Sequence, residues 1–157
     1  MTKNQTYKTS IFMNFRHGDP AGVMFNGNLL DISHDLLEEF LIHIGISWKD
    51  WFRSSELACP IRNCNIDFLA PFIVGETYDV EINLNKIGHT SFTIGYKFFS
   101  LEKTAQFEFN SRTQASENNG RKKMAVVSVT HVFIDLNKKT ITAIPEEFKN
   151  KLAIYLS

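Results

Sequence analysis

Apolar residues recur at spacings of three and four between Asn28 and Ile44. Leu29, Leu30, Ile32, Leu36, Leu37, Phe40, Leu41 and Ile44 form one wide stripe, and Asp31, His34, Asp35, Glu38 and Glu39 fill the remaining face. That period predicts a helix over 28–44, with Asp31 and Asp35 in its early turns suiting the dipole and Gly45 ending it. Elsewhere the period changes to two. A loose alternation over 5–15 predicts a first strand, and the polar, glycine-bearing stretch 16–27 predicts a loop. Thr77 to Ile87 alternates cleanly, with Tyr78, Val80, Ile82 and Leu84 on one face and Asp79, Glu81, Asn83 and Asn85 on the other. Ala58 to Leu69, Thr90 to Leu101 (Phe92, Ile94, Tyr96 and Phe98 on one face) and Met124 to Asp135 are further strands.

The connections carry turn residues. Pro71 and Gly75 mark one turn, and Gly88-His89 marks another. Trp48 to Ser55 reads as a short helix or turn. Residues 102–123 read as an extended hairpin arm, turning at Asn119-Gly120 before Arg121-Lys122-Lys123. Pro145 opens a short C-terminal helix, with Glu146 and Glu147 in its first turn. Strand, helix, then four mostly antiparallel strands make an α+β arrangement of one helix against a five-stranded sheet, in a single domain over 1–157. Such a sheet has edges to cover, and pairing with a second copy covers one.

Composition narrows the function. Hydrophobic residues make up 43% of 157, and prolines number four, so the chain supports a real core. Lys plus Arg equals Asp plus Glu at 17 each, and zero net charge argues against nucleic-acid binding by bulk charge. No apolar run approaches the ~20 residues of a membrane span, and Met1-Thr2-Lys3-Asn4-Gln5 leads into no apolar signal core. A cytoplasmic protein is the expectation. Cys59 and Cys64 fall at odd separation on one expected strand, so they would face opposite ways and form neither a disulfide nor a zinc site. Many of the 14 phenylalanines sit in strand-like runs and indicate an aromatic-lined sheet.

Asp19-Pro20-Ala21-Gly22 lies between the first strand and the long apolar stripe. Each residue type suits a turn, and a turn is one reading. The other starts from position. A carboxylate at a strand-to-helix junction faces the positive end of a helix dipole and its unpaired N–H groups. A base or nucleophile beside ready-made oxyanion donors is a hydrolytic arrangement.

The longer stretch Phe15-Arg16-His17-Gly18-Asp19-Pro20-Ala21-Gly22-Val23-Met24-Phe25-Asn26-Gly27-Asn28 resembles the active-site loop of the 4-hydroxybenzoyl-CoA thioesterase family. The resemblance implies a hotdog fold, a five-stranded antiparallel sheet wrapped around a long central helix. It implies hydrolysis of an acyl-CoA thioester, aromatic or short to medium in chain length, by a homodimer or homotetramer without metal or other cofactor. Asp19 stands where the family has its catalytic carboxylate, acting as nucleophile or as base on water. Asn26 stands where a backbone N–H polarises the carbonyl, and Asn28 where an Asn braces the loop, an ordinary helix N-cap being its other reading. Gly22 and Phe25 adjoin the substrate, while Lys86 and His89 are the residues near the Gly88 turn that could meet CoA phosphates, with Arg121, Lys122 and Lys123 as a substitute. His17 departs from the family, which often has Asp there; a solvated or structural loop residue is the favoured reading, and proton transfer the other. Leu29 replaces a usual Tyr. Arg62 and Asp67 would line the pocket from a second chain, or simply face outward.

Alternatives differ in partner or chemistry. The acyl chain could be carried by a carrier protein, a hydratase or dehydratase would use His17 with Asp19, and a binding module would use neither. His34, His43 and His131 read as structural.

Overall fold

The computed structural model describes residues 4–47, 49, 56–101, 117–118 and 121–157. Helix α1 (Asn28–His43) follows the stripe, burying Leu29, Ile32, Leu36, Leu37, Phe40 and Leu41, while Gly45 follows in the left-handed region at φ 75°. Its partner is an antiparallel sheet. Strands β1 (Tyr7–Phe12), β3 (Ile61–Phe68), β4 (Thr77–Ile87), β5 (Ser91–Ser100) and β7 (Arg121–Val132) run in the order β1-β4-β5-β7-β3, and β6 (Glu117–Asn118) pairs with the start of β7. Tyr78, Val80, Ile82 and Leu84 of β4 are at most 1% exposed and form one core with Phe92, Ile94, Tyr96 and Phe98 of β5 and the apolar stripe of α1. The period-two pattern therefore sorts the sheet faces as expected.

Some boundaries move. The first strand is six residues rather than eleven, because Phe15–His17 forms a single 3-10 turn. The strand expected over Ala58–Leu69 divides into β2 (Leu57–Ala58) and β3 around Pro60, which has no N–H for a ladder. The strand expected over Met124–Asp135 also divides, and its second part, β8 (Ile134–Asp135), joins β2 and β9 (Thr140–Ile141) in a small separate sheet. Cys59 accordingly lies outside any strand, and both cysteines are free. Helix α2 (Glu146–Ala153) closes one end of the sheet through Phe148, whose ring meets Phe133 edge-on at 5.3 Å. The helix or turn expected over Trp48–Ser55 (Lys49 apart) and the arm expected over 102–116 with its turn at Asn119-Gly120 lie outside the described residues.

His131 is buried on β7, stacked 5.2 Å from Phe92, and its Nδ1–H donates to the Cys59 carbonyl at 3.3 Å. Burial depresses its pKa to about 4. The unfolded chain then binds a proton here that the folded chain rejects. This stability is complete above the free-histidine value of about 6.5 and is lost as pH falls toward about 4. The loss expected across that window is roughly 3 kcal/mol. Urea unfolding at both ends of the window measures it, and His131→Gln should remove most of the difference. A pH dependence unchanged in that variant would assign it to other groups.

Candidate active site

The loop between β1 and α1 folds back on itself. Met13 donates to the Glu76 carbonyl at 2.8 Å, fixing the exit from β1, and Gly18 N–H closes the 3-10 turn on Phe15 O at 3.1 Å. Gly18 and Met24 then bridge antiparallel, with Asp19 N–H donating to Val23 O at 2.9 Å and Gly22 N–H to Asp19 O at 3.0 Å. Pro20, Ala21 and Gly22 form the tip of this small hairpin. Gly22 has φ 78°, which a side chain would strain. A second bridge, Val23 to Ile73, and the Met24 N–H donated to Phe72 O at 2.8 Å pin the hairpin to the segment after β3. A Cβ on Gly18 would lie 2.6 Å from Val74, so that approach also needs glycine.

Asp19 is half-buried at the base of the tip. Its Oδ1 accepts the Ala21 N–H at 2.8 Å, while Oδ2 has no partner among the described residues. One oxygen fixes the carboxylate and the other stays open. Eight residues on, the chain enters α1 through Gly27. Among the described residues the N–H groups of Asn26 and Gly27 donate to nothing, and both lie at the positive end of the helix dipole. The Phe25 ring is 61% exposed and lies over Gly27, where an added Cβ would come 2.7 Å from it. Asn28 does not cap the helix. Its Nδ2 donates to the His17 carbonyl at 2.8 Å and ties the helix start to the loop.

Beside Asn26 lies an apolar cleft of about 260 Å³. Val23, Met24 and Asn26 form one wall, and Phe68 through Phe72 form the other. The second wall was not legible as part of a site, since Pro71 signals only a turn. It belongs here because of the Met24-to-Phe72 bond, a pairing between distant segments.

His17 stays with the loop: it is buried, with its Nε2 accepting from Arg16 Nε at 3.2 Å. Burial, then Arg16, lowers its pKa, against smaller opposing effects of Asp31 and Asp35 on α1. Lys86 and His89 are exposed at the far end of β4 and in its following turn. The loop end is marked by Phe12 opposite Thr77, and Lys86 is nine positions further along, roughly 30 Å at ~3.3 Å per residue. Within one chain the fold therefore does not bring Lys86 and His89 to Asp19. Arg121 is at the loop end, but its guanidinium is held by Asp79 at 3.2 Å and Glu81 at 2.9 Å. Arg62 and Asp67 are exposed on edge strand β3. Among the described residues no group of three His, Cys, Asp or Glu side chains could hold a metal ion.

A family model described as thioesterase-like superfamily matches residues 14–152, from the loop to the last helix. The chain belongs to that superfamily. Its relatives include the 1,4-dihydroxy-2-naphthoyl-CoA hydrolases of Crocosphaera subtropica, 30% identical over 86% of this chain and 82% of that one, and of Trichodesmium erythraeum, 29% identical over 89% and 90%. A solved 1,4-dihydroxy-2-naphthoyl-CoA thioesterase from Synechocystis superposes with a TM-score of 0.78 at 19% identity, covering 95% of this chain and 96% of that one. The dynemicin thioesterase superposes at 0.76 with 14% identity, covering 98% and 99%. The fold of this thioesterase-like chain is thus the hotdog type, α+β with an antiparallel sheet, and the thioester hydrolase expected from the sequence agrees with the family.

Proposed function

We propose that this thioesterase-superfamily protein hydrolyses an acyl-CoA thioester carrying an aromatic acyl group, with Asp19 as the reacting carboxylate. The observation that carries the reading is the pairing, in one pinned loop, of a carboxylate oxygen and helix-start N–H groups that have no partner among the described residues. The acyl group occupies the cleft walled by Met24, Phe68 and Phe72, and its carbonyl oxygen meets the Asn26 N–H. As charge develops on that oxygen, a fixed donor at a helix N-terminus stabilises it without reorganising. Asp19 either adds to the carbonyl carbon, expelling CoA thiolate and leaving a mixed anhydride for water to cleave, or takes the proton from a water that adds directly. Both routes give free acid and CoA. The relatives' activity on 1,4-dihydroxy-2-naphthoyl-CoA, and Phe68 and Phe72 in one wall of the cleft, support an aromatic acyl group.

The proposed assembly is a homodimer or dimer of dimers, with α1 as the central helix that each sheet wraps. Edge strand β3 supports it: eight residues long, it has among the described residues a strand partner on one side alone, at the end of the β1-β4-β5-β7-β3 order. Solution mass should be at least twice 18.0 kDa. A strict monomer would remove the support for a pocket shared between chains. Among the described residues no helix is long and apolar enough to cross a membrane. Release from a carrier protein is a second reading, favoured by the distance of Lys86 and His89 from Asp19 in one chain. Thiol release from benzoyl-, naphthoyl-, hexanoyl- and palmitoyl-CoA tests the first reading. Turnover of the aromatic esters supports it, and no turnover of any ester would sink it.

A further inference from the structure

We propose that His17 is a positioning residue whose neutral ring, tied to Arg16, holds the Asp19 loop against the start of α1. The inference rests on the reading of Asp19 and Asn26 as the reacting groups. His17 touches neither side chain in any hydrogen bond. Its backbone carbonyl is the junction. That oxygen accepts both the Phe25 N–H at 2.9 Å and the Asn28 Nδ2–H at 2.8 Å, so the turn before Asp19 and the residues on either side of Asn26 meet at one atom. Wherever His17 moves, the oxyanion donors move relative to the carboxylate.

The ring is what fixes the residue. It is 6% exposed, although its neighbour Phe15 is 88% exposed and Arg16, Pro20 and Ala21 are also outward. With Nε2 accepting from Arg16 Nε–H at 3.2 Å, the ring is neutral and carries its proton on Nδ1. That Nδ1 is buried without a partner among the described residues. A polar ring kept inside with an unanswered donor is poor filler, because an apolar residue would pack there without that penalty. What the imidazole adds is the acceptor for Arg16. The charged groups acting on the ring are Arg16 in its own turn and Asp31 and Asp35 on α1. If the ring takes a proton, Nε2 becomes a donor facing a donor, and two cations lie side by side. The Arg16 bond is lost, and the loop loosens from α1. Burial and Arg16 both oppose this protonation, so the loosening belongs below the ordinary histidine range.

Two measurements test the assignment. In the first, thiol release from the aromatic acyl-CoA of the panel turned over fastest is followed from about pH 5 to about pH 9, around the free-histidine value. His17→Ala should lose on the order of 100-fold, in kcat rather than KM, the scale expected for misplaced reacting groups. His17→Gln, whose Oε1 can accept the Arg16 N–H without titrating, should regain most of that loss and lack the wild type's acid limb. An equal kcat in His17→Ala, or a limb that persists unchanged in His17→Gln, would overturn the proposal. The second needs no turnover. Nitrogen-15 NMR of the wild type should show the Nδ1–H tautomer, and the Asn28 side-chain amide should shift with the same midpoint as the His17 ring. Arg16→Gln should raise that midpoint. An Nε2–H tautomer, or an Asn28 amide indifferent to His17 titration, would refute the latch. If the wild type releases no thiol from any ester, the proposed function fails while the NMR result still judges the latch.

Discussion

Asp19→Asn loses on the order of 1,000-fold in kcat for thioester hydrolysis, within the range general base catalysis supplies, and remains folded. The substitution isolates charge from geometry. The Asn Oδ1 can still accept the Ala21 N–H that now holds Asp19 Oδ1 at 2.8 Å, so the hairpin tip keeps its shape. What disappears is the open carboxylate oxygen, the only part able to attack a carbonyl or take a proton from water. Asp19→Ala should lose as much activity and also unfold more easily, by about 1 kcal/mol for the missing hydrogen bond. KM should change little in either variant, because the cleft and the Asn26 N–H are untouched. Asn26→Ala is the counterpart, and should stay within a few-fold of wild type since a backbone N–H is the donor. The assay is thiol release under saturating ester, with circular dichroism to confirm folding. Asp19→Asn retaining a tenth of wild-type kcat would rule out the carboxylate as the reacting group.

How far this was legible in the sequence depends on whether a feature is local. Thr77–Ile87 matches the expected strand because each inward residue there is apolar and each outward one polar. α1 starts at Asn28 as its stripe does, and ends within a residue of the expected Ile44. The loop around position 19 is also legible, as the polar, glycine-bearing stretch between first strand and helix. Pro60 hides the break between β2 and β3, since one proline inside an alternating run leaves the apolar period intact while removing the N–H the ladder needs. The wall Phe68–Phe72 was illegible for another reason. Nothing in its own residues points to a site, and its place is set by Met24, more than forty positions away. Lys86 and His89 are the opposite case. Their residue types suit a phosphate, but the eleven-residue length of β4 carries them to the far end of the sheet from Asp19. His17 is polar and in a loop, which signals exposure, yet it is buried, and its carbonyl accepts the Asn28 side chain at the start of the helix.

Phe72→Ala is expected to cost about 3–5 kcal/mol of folding stability, a large share of the roughly 5–15 kcal/mol a domain has. Phe72 is 1% exposed and meets two other rings edge-on, Tyr78 at 4.8 Å and Phe98 at 5.7 Å. Removing it leaves a void between sheet and loop, and orphans two aromatic contacts whose geometry adds to simple burial. Its backbone holds the site as well, because Phe72 O accepts the Met24 N–H. The void would therefore open into the cleft that Phe72 lines. Urea unfolding should show the full loss, whereas Phe72→Leu, which keeps most of the volume, should lose less than about 2 kcal/mol. The same variants separate wall from scaffold in the chemistry. If Phe72 shapes the acyl site, Phe72→Leu at a temperature where it is folded shifts preference among aromatic esters through KM. If Phe72 only supports the loop, kcat falls equally for every ester. A Phe72→Ala protein as stable as wild type would mean that the wall is not packed against Tyr78 and Phe98, and the cleft would then lose its rigid side.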